Sequence, residues 1–253
     1  MQSEEDIRLK KRFTELAEKS FQQNQYLFTG FLGLKEQSLF FEARSGFPHV
    51  GVCLFGGNDF CERQMARFGE LEELGYEEEF PIACVKISPA APKYAEALTH
   101  RDYLGALINL GIERSTMGDI LLAGQDAYVY CQNVMADFIC DNLSRVKHTA
   151  VSCRSVEDVP GQARPHLREE TVNVASERLD AVVSAVCKLS RSQSMELFRA
   201  GRIFVGGRMI ENNSAVPKPG DIVSVRGYGR FVYGGAVYET KKGRYGIRVE
   251  RYE

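Results

Sequence analysis

The sequence predicts an α+β protein built from successive small parts, and three observations carry that expectation. The chain has 253 residues, which suits about two domains of ordinary size with room for a small third. Apolar residues make up 44%, charged residues 26% and aromatic residues 10%, the balance of a soluble globular chain and not of a disordered, collagenous or disulfide-stapled one. Helical and strand periodicities also alternate along the chain with turn residues between them.

The first part, residues 1–79, reads as an α/β region. Ile7, Phe13, Leu16, Ala17 and Phe21 stand near helical spacing within residues 5–25, with acids early, which predicts an amphipathic helix. A second helix is expected over Lys35–Glu42, a buried strand over His49–Gly57 and a further helix over Cys61–Gly75. Gly56-Gly57 lacks the spacing of a phosphate-binding loop and reads as a plain turn. Glu77–Glu79 reads as a solvated exit.

The second part, residues 80–156, has a definite order. Strands are expected at Ile82–Ile87, Gly118–Gly124, Ala127–Gln132 and Thr149–Val156, and helices at His100–Gly111 and Val134–Leu143. That is β-α-β-β-α-β, the split arrangement of ferredoxin-like and RNA-recognition-motif folds. An RNA-recognition motif would stack bases on aromatics of its central strands. Tyr128 and Tyr130 share one strand face, but the first strand offers no aromatic, so a packing role is expected for them. His100, Arg101, Asp102, Arg114 and Asp119 are expected to orient helix and strand.

Residues 157–170, with Pro160, Gly161 and Pro165, read as a polar linker. The third part then runs over 171–253. Ser176 is expected to cap a helix whose buried face is Leu179, Val182, Val183 and Val186. Ser190 and Gln193 form a capping box, S-x-x-Q, opening a second helix that ends at Gly201. A hairpin turning at Gly206-Gly207 follows; Lys218-Pro219-Gly220-Asp221 turns the chain into a strand, Ile222–Val225, and added strands are expected in the tail.

Charge is divided unevenly. Residues 171–253 carry 14 Lys and Arg against 8 Asp and Glu, whereas residues 1–170 carry 18 against 26. A basic end on an acidic body suggests a polyanionic partner for that end. The seven cysteines stand singly and the four histidines far apart, so core thiols are expected, with no metal and no cofactor. No apolar run reaches the length of a spanning helix, and the N-terminus MQSEEDIRLKKRF lacks the apolar centre of a signal peptide. A cytoplasmic protein that meets no membrane is the expectation.

The stretch ERLDAVVSAVCKLSRSQSMELFRAGRIFVGGRMIENNSAVPKPGDIVSV resembles the RNA-binding domain of the small-subunit ribosomal protein numbered four, here the S-four domain. R-L-D, S-R-S-Q, A-G-R, the hairpin and K-P-G-D match at the family's spacing over about 50 residues. Gly206 stands where the family commonly has Asn, and Ser194 where it often has Ala. With FTGFLGLKEQ, FGGNDFCERQ, THRDYLGALINLGIERSTMGDI and RGYGRF, the whole layout resembles the YlmH family of bacterial S-four-domain proteins. The resemblance implies a monomeric, non-catalytic RNA-binding protein without a small-molecule substrate. It would dock on structured rRNA or tRNA of the large ribosomal subunit and help handle stalled complexes carrying peptidyl-tRNA.

The residues the resemblance places on RNA are Arg178, Arg191, Arg199, Arg202 and Lys218; Ser190, Arg208 and, in the tail, Arg226 and Arg230 are expected beside them. The tail also interleaves Lys241, Lys242 and Arg244 with Tyr228, Phe231, Tyr233 and Tyr245, a mixture able to neutralise phosphates and stack bases; half of those aromatics are expected in the core. Two rival expectations stay open. One is an RNA-modifying enzyme, of pseudouridine-synthase or methyltransferase type, using the S-four domain to hold its substrate. The other is an adaptor whose acidic residues 1–79, with 9 Lys and Arg against 15 Asp and Glu, recruit a basic partner.

Overall fold

A computed structural model describes residues 3–157, 159–241 and 243–252. Two units divide between Arg164 and Pro165.

In the first unit, helix α1 (Glu4–Gln23) is opened by a capping box between Ser3 and Asp6 and lays Phe13, Leu16 and Ala17 into a core. Strand β1 (Leu27–Leu32), helix α2 (Leu34–Ala43) and strands β2 (Val52–Phe55) and β3 (Gln64–Phe68) follow. The three strands form an antiparallel sheet in the order β1-β3-β2. The expected helix over Cys61–Gly75 is therefore corrected: the segment is mostly the central strand of this sheet, and only a single turn, α3 (Leu71–Leu74), is helical. Alternation decides it. Ala66 and Phe68 join the core under α1, while Met65 points the other way into a second core, and a strand buried on both faces overrides weak helical preference.

Strands β4 (Ile82–Pro89), β5 (Met117–Ala123), β6 (Asp126–Gln132) and β8 (Thr149–Val156), helices α4 (His100–Asn109) and α5 (Asn133–Asn142), and a two-residue strand β7 (Arg145–Val146) complete the unit. The sheet order is β5-β6-β4-β8-β7, antiparallel throughout. Its first four strands have the ferredoxin-like order, as the β-α-β-β-α-β pattern predicts. Val85, Ile87, Val129 and Cys131 face α4 and α5, and Cys84, Tyr128 and Tyr130 face the opposite way. Burial pushes the Cys84 and Cys131 thiols up to about 12, so both behave as small apolar groups.

The second unit contains strand β9 (Leu167–Val174), helices α6 (Leu179–Val186) and α7 (Arg191–Arg199), and strands β10 (Ile203–Val205), β11 (Arg208–Met209), β12 (Ile222–Val225), β13 (Gly229–Glu239) and β14 (Tyr245–Tyr252). One six-stranded sheet has the order β11-β10-β12-β13-β14-β9. β9 pairs with β14 over all eight residues, so ordered structure begins inside the stretch that reads as linker. That strand is an edge, where backbone pairing tolerates the polar run Arg168-Glu169-Glu170. Gly206 and Gly207 both have positive φ, 55° and 77°, which gives the β10–β11 hairpin the primed two-residue turn its sequence predicts. Leu179, Val182, Val183, Val186, Leu197 and Phe198 pack the helices onto the sheet.

Candidate nucleic-acid interface

The S-x-x-Q box behaves as its sequence predicts. Ser190 Oγ accepts from the Gln193 N–H at 3.3 Å, and Gln193 Oε1 accepts from the Ser190 N–H at 2.9 Å. The Ser190 hydroxyl is thus occupied in opening α7, and exposed Arg191 stands in the first turn at the positive end of the helix dipole, where an anion is favoured.

Helix α6 begins differently from expectation. Arg178, and not Ser176, occupies the N-cap position, without a side-chain cap. The Leu179 and Asp180 N–H groups donate instead to the Ala215 and Asn213 carbonyls at 2.8 and 3.1 Å, so the loop after β11 closes this helix end. Arg178 donates to both oxygens of Asp180, at 3.1 and 2.8 Å, and Asn213 Nδ2 donates to the same carboxylate at 2.9 Å. Burial pushes the Asp180 carboxyl up, but the bonds from Arg178 and Asn213 outweigh it and hold the group below its ordinary value. The pair fixes one face of the guanidinium, leaving Arg178 beside Arg191 and Arg244 around a cleft of about 450 Å³. Ser194, fully buried, ties α7 to α6 through a 3.0 Å bond to the Asp180 carbonyl.

A second group lies where α7 ends. Arg199 is in its last turn, and Gly201 takes the left-handed conformation, φ 61°, that lets the chain turn into β10. Arg226, at the end of β12, donates its N–H to the Arg202 carbonyl at 3.0 Å and sets its guanidinium 5.2 Å above the Phe204 ring. Tyr228, 43% exposed, stands in the same turn as Arg226. Arg230, half-buried, lies 4.1 Å from the Tyr252 ring centre, a cation–π contact. Arg208 and Lys218 sit at the opposite end of β10 and β12, on the hairpin and on the turn that Asp221 closes by accepting the Lys218 N–H at 2.7 Å.

The sequence-predicted residues thus fall into two groups and an outlying pair: Arg178 with Arg191, Arg199 with Arg202 and Arg226, and Arg208 with Lys218. Arg244 joins the first group through the tail; it donates to the Asn173 carbonyl at 3.0 Å. Basic composition marked it, but its place beside α6 depends on β9 pairing with β14, which no local pattern announces. Of the tail aromatics, Phe231 and Tyr233 are core, Tyr228 is exposed and Tyr245 half-buried. Lys242 lies outside the described residues.

In the first unit, the sheet face that carries Tyr128 and Tyr130 is filled. The two rings are 4% and 6% exposed and pack with Phe31, Cys61 and Met65. Asn58 Nδ2 donates to the Tyr130 hydroxyl at 2.6 Å, and Gly57 lies so close to that ring that an added Cβ would sit 2.4 Å from it. The polar set of α4 and β5 separates. Asp119 accepts the backbone N–H groups of Glu62 and Arg63, and Arg63 donates to the carbonyls of Phe31, Arg114 and Met117 at 2.8–2.9 Å. Asp102 caps α4 through Thr99 and pairs with Lys147 at 2.8 Å.

A Bacillus subtilis (strain 168) protein named "Ribosome-associated protein quality control protein P2" is 29% identical over 238 residues, spanning 90% of this chain and 89% of the relative. A family model described as "Putative RNA-binding domain in YlmH" matches residues 76–159. The chain is thus similar to the YlmH family. The matched YlmH segment coincides with the ferredoxin-like sheet and its two helices. A solved structure described as "Cell division protein ylmH from Streptococcus pneumoniae" is 23% identical to this chain, covers 62% of it and 93% of the solved chain, and superposes with a TM-score of 0.48.

Proposed function

We propose that the protein binds structured RNA of the translation machinery, ribosomal RNA or tRNA, and acts in ribosome-associated quality control. The reading extends to the large ribosomal subunit and to stalled complexes that still carry peptidyl-tRNA, in the cytoplasm. The observation that carries it is the pairing of Arg178 and Arg191 at the openings of α6 and α7, around one cleft and with Arg244 opposite. Guanidinium groups held at fixed spacing beside a helix N-terminus suit backbone phosphates, and folded RNA is recognised largely by shape and phosphate position. Arg199, Arg202 and Arg226, with Tyr228 in the same turn, supply a second contact where a ring can stack on an exposed base. Arg208, Lys218 and Arg230 extend the basic surface, and Ser190 contributes by holding α7 open to the ligand. Docking of this kind calls for no chemical step, and the reading assigns no catalytic residue. The likeness to a relative named for ribosome-associated quality control supports the choice of RNA.

The test is sedimentation of tagged protein from lysate at low and high salt, with sequencing of crosslinked RNA. Co-migration with large subunits that is lost at high salt, with crosslinks in one rRNA region or in tRNA, is the expected result. Protein confined to the top of the gradient, crosslinked to free precursor RNA that changes with turnover, would overturn the reading in favour of a modifying enzyme.

A further inference from the structure

The ferredoxin-like part of the chain presents its own problem of recognition. Bases cannot stack on Tyr128 and Tyr130, which are core residues beneath Phe31 and Met65, and the other sheet face is covered by α4 and α5. Residues 76–159 are moreover acidic, with seven Lys and Arg against twelve Asp and Glu. A net-acidic body can hold a polyanion only at a local concentration of positive charge.

One such place exists. Three of the seven cations, Arg101, Arg145 and Lys147, line a single cleft of about 520 Å³ between α4 and the turn that follows α5. The others are placed elsewhere: Lys86 pairs with Asp126 at 2.7 Å, Arg114 is half-buried facing Asp119, Lys93 lies by Tyr94 and Arg154 is on β8. On α4 the cleft is lined at i, i+4 and i+8 by Arg101, Gly105 and Asn109, one stripe of the helix. Gly105 makes a notch in that stripe, since a Cβ added there would meet nothing within 4 Å. Asn142 adds a second amide from the end of α5. Asp102 is the sole acid on the cleft wall among the described residues, and it is already engaged. It accepts from Thr99 and pairs with Lys147 at 2.8 Å. That pair holds a lysine whose backbone is left-handed, φ 50°, at the cleft rim. Arg101 and Arg145, both exposed, form no ion pair among the described residues.

We infer that the α4–α5 cleft of residues 101–147 is a second RNA-backbone site, on the helical side of the ferredoxin-like sheet instead of its strand face. Arg101 and Arg145 neutralise phosphates, the notch at Gly105 admits the sugar–phosphate chain, and the Asn109 and Asn142 amides reach sugar hydroxyls or base edges. This inference rests on the RNA reading of the protein but not on the cations of the second unit.

Two probes, bulk deacylated tRNA and deproteinised large-subunit rRNA, separate the two sources of backbone. Their affinities are measured against salt for the full chain, for Arg101→Ala with Arg145→Ala, for Gly105→Gln, and for Arg191→Ala with Arg202→Ala. The cleft double variant is expected to bind one or both probes about tenfold more weakly at 0.15 M salt, with a salt slope lower by about two. Gly105→Gln fills the notch without changing charge and improves helix propensity, so it should weaken binding several-fold while the melting temperature holds or rises. Unchanged affinity and slope in both cleft variants, with binding lost in the Arg191 and Arg202 variant, would overturn the cleft site and leave the RNA reading standing. Unchanged binding in all of them would overturn the cleft site together with the assignment of Arg191 and Arg202, and no binding by the wild type would remove the RNA reading itself.

Discussion

Arg178 grips the buried carboxylate of Asp180 with two parallel N–H bonds across a single intervening residue. The pair sits where α6 begins, and Asn213 completes it from the loop that closes the same helix end. Positioning of a proposed phosphate ligand and stability of the second unit are therefore linked at one side chain. Asp180→Ala leaves Arg178 unanchored and Asn213 without its acceptor. It is expected to lower stability, read as a fall in the urea midpoint. RNA affinity should fall as well where the variant remains folded.

The Tyr130 ring separates a base-stacking sheet from a filled one. Because it is core and hydrogen-bonded to Asn58, Tyr130→Ala should destabilise the protein by about 3–5 kcal/mol. Tyr130→Phe, which loses the 2.6 Å bond and keeps the ring, should cost about 1 kcal/mol. A stacking residue would show the reverse in the urea titration, an unmoved midpoint with weakened RNA binding.

Gly57 has φ 103° and no room for a Cβ against the Tyr130 ring. Gly57→Ala is expected to lose about 1–3 kcal/mol from backbone strain alone, more with the clash. The same urea midpoint measures it.

Acid dependence has a local source at Asp102. The bond from Lys147, followed by those from Thr99, holds its carboxyl at about 2. A folded value below the unfolded one gives stabilisation that is complete above the ordinary carboxylate range, about pH 4, and lost as pH falls towards 2. Asp102→Asn should therefore lower the unfolding midpoint at pH 7, and the difference from the wild type should shrink between pH 4 and pH 2.

Much of this architecture was legible in short-range pattern. The capping box at Ser190, the hairpin at Gly206-Gly207 and the strand pair around Gly124 each carry their own turn chemistry, and the structure has all three. Residues 61–75 were not legible, because Glu62, Glu70, Glu72 and Glu73 look helical while Met65, Ala66 and Phe68 are fixed by two separate cores that only tertiary contact creates. Ser176 offered a good cap, but Leu179 and Asp180 found carbonyls 36 and 33 residues away in the chain. The cations of the second unit could be named from sequence, yet their grouping could not. Arg202 meets Arg226 only through β10–β12 pairing, and Arg244 reaches α6 only through β14 and β9.

The central claim is that the basic second unit holds RNA by its phosphates. The measurement that tests it most directly is the salt dependence of rRNA and tRNA affinity for the wild type and for the folded Arg191→Ala, Arg202→Ala double variant. The account predicts weaker binding and a salt slope lower by about one for each lost phosphate contact. Unchanged affinity and an unchanged slope would contradict it.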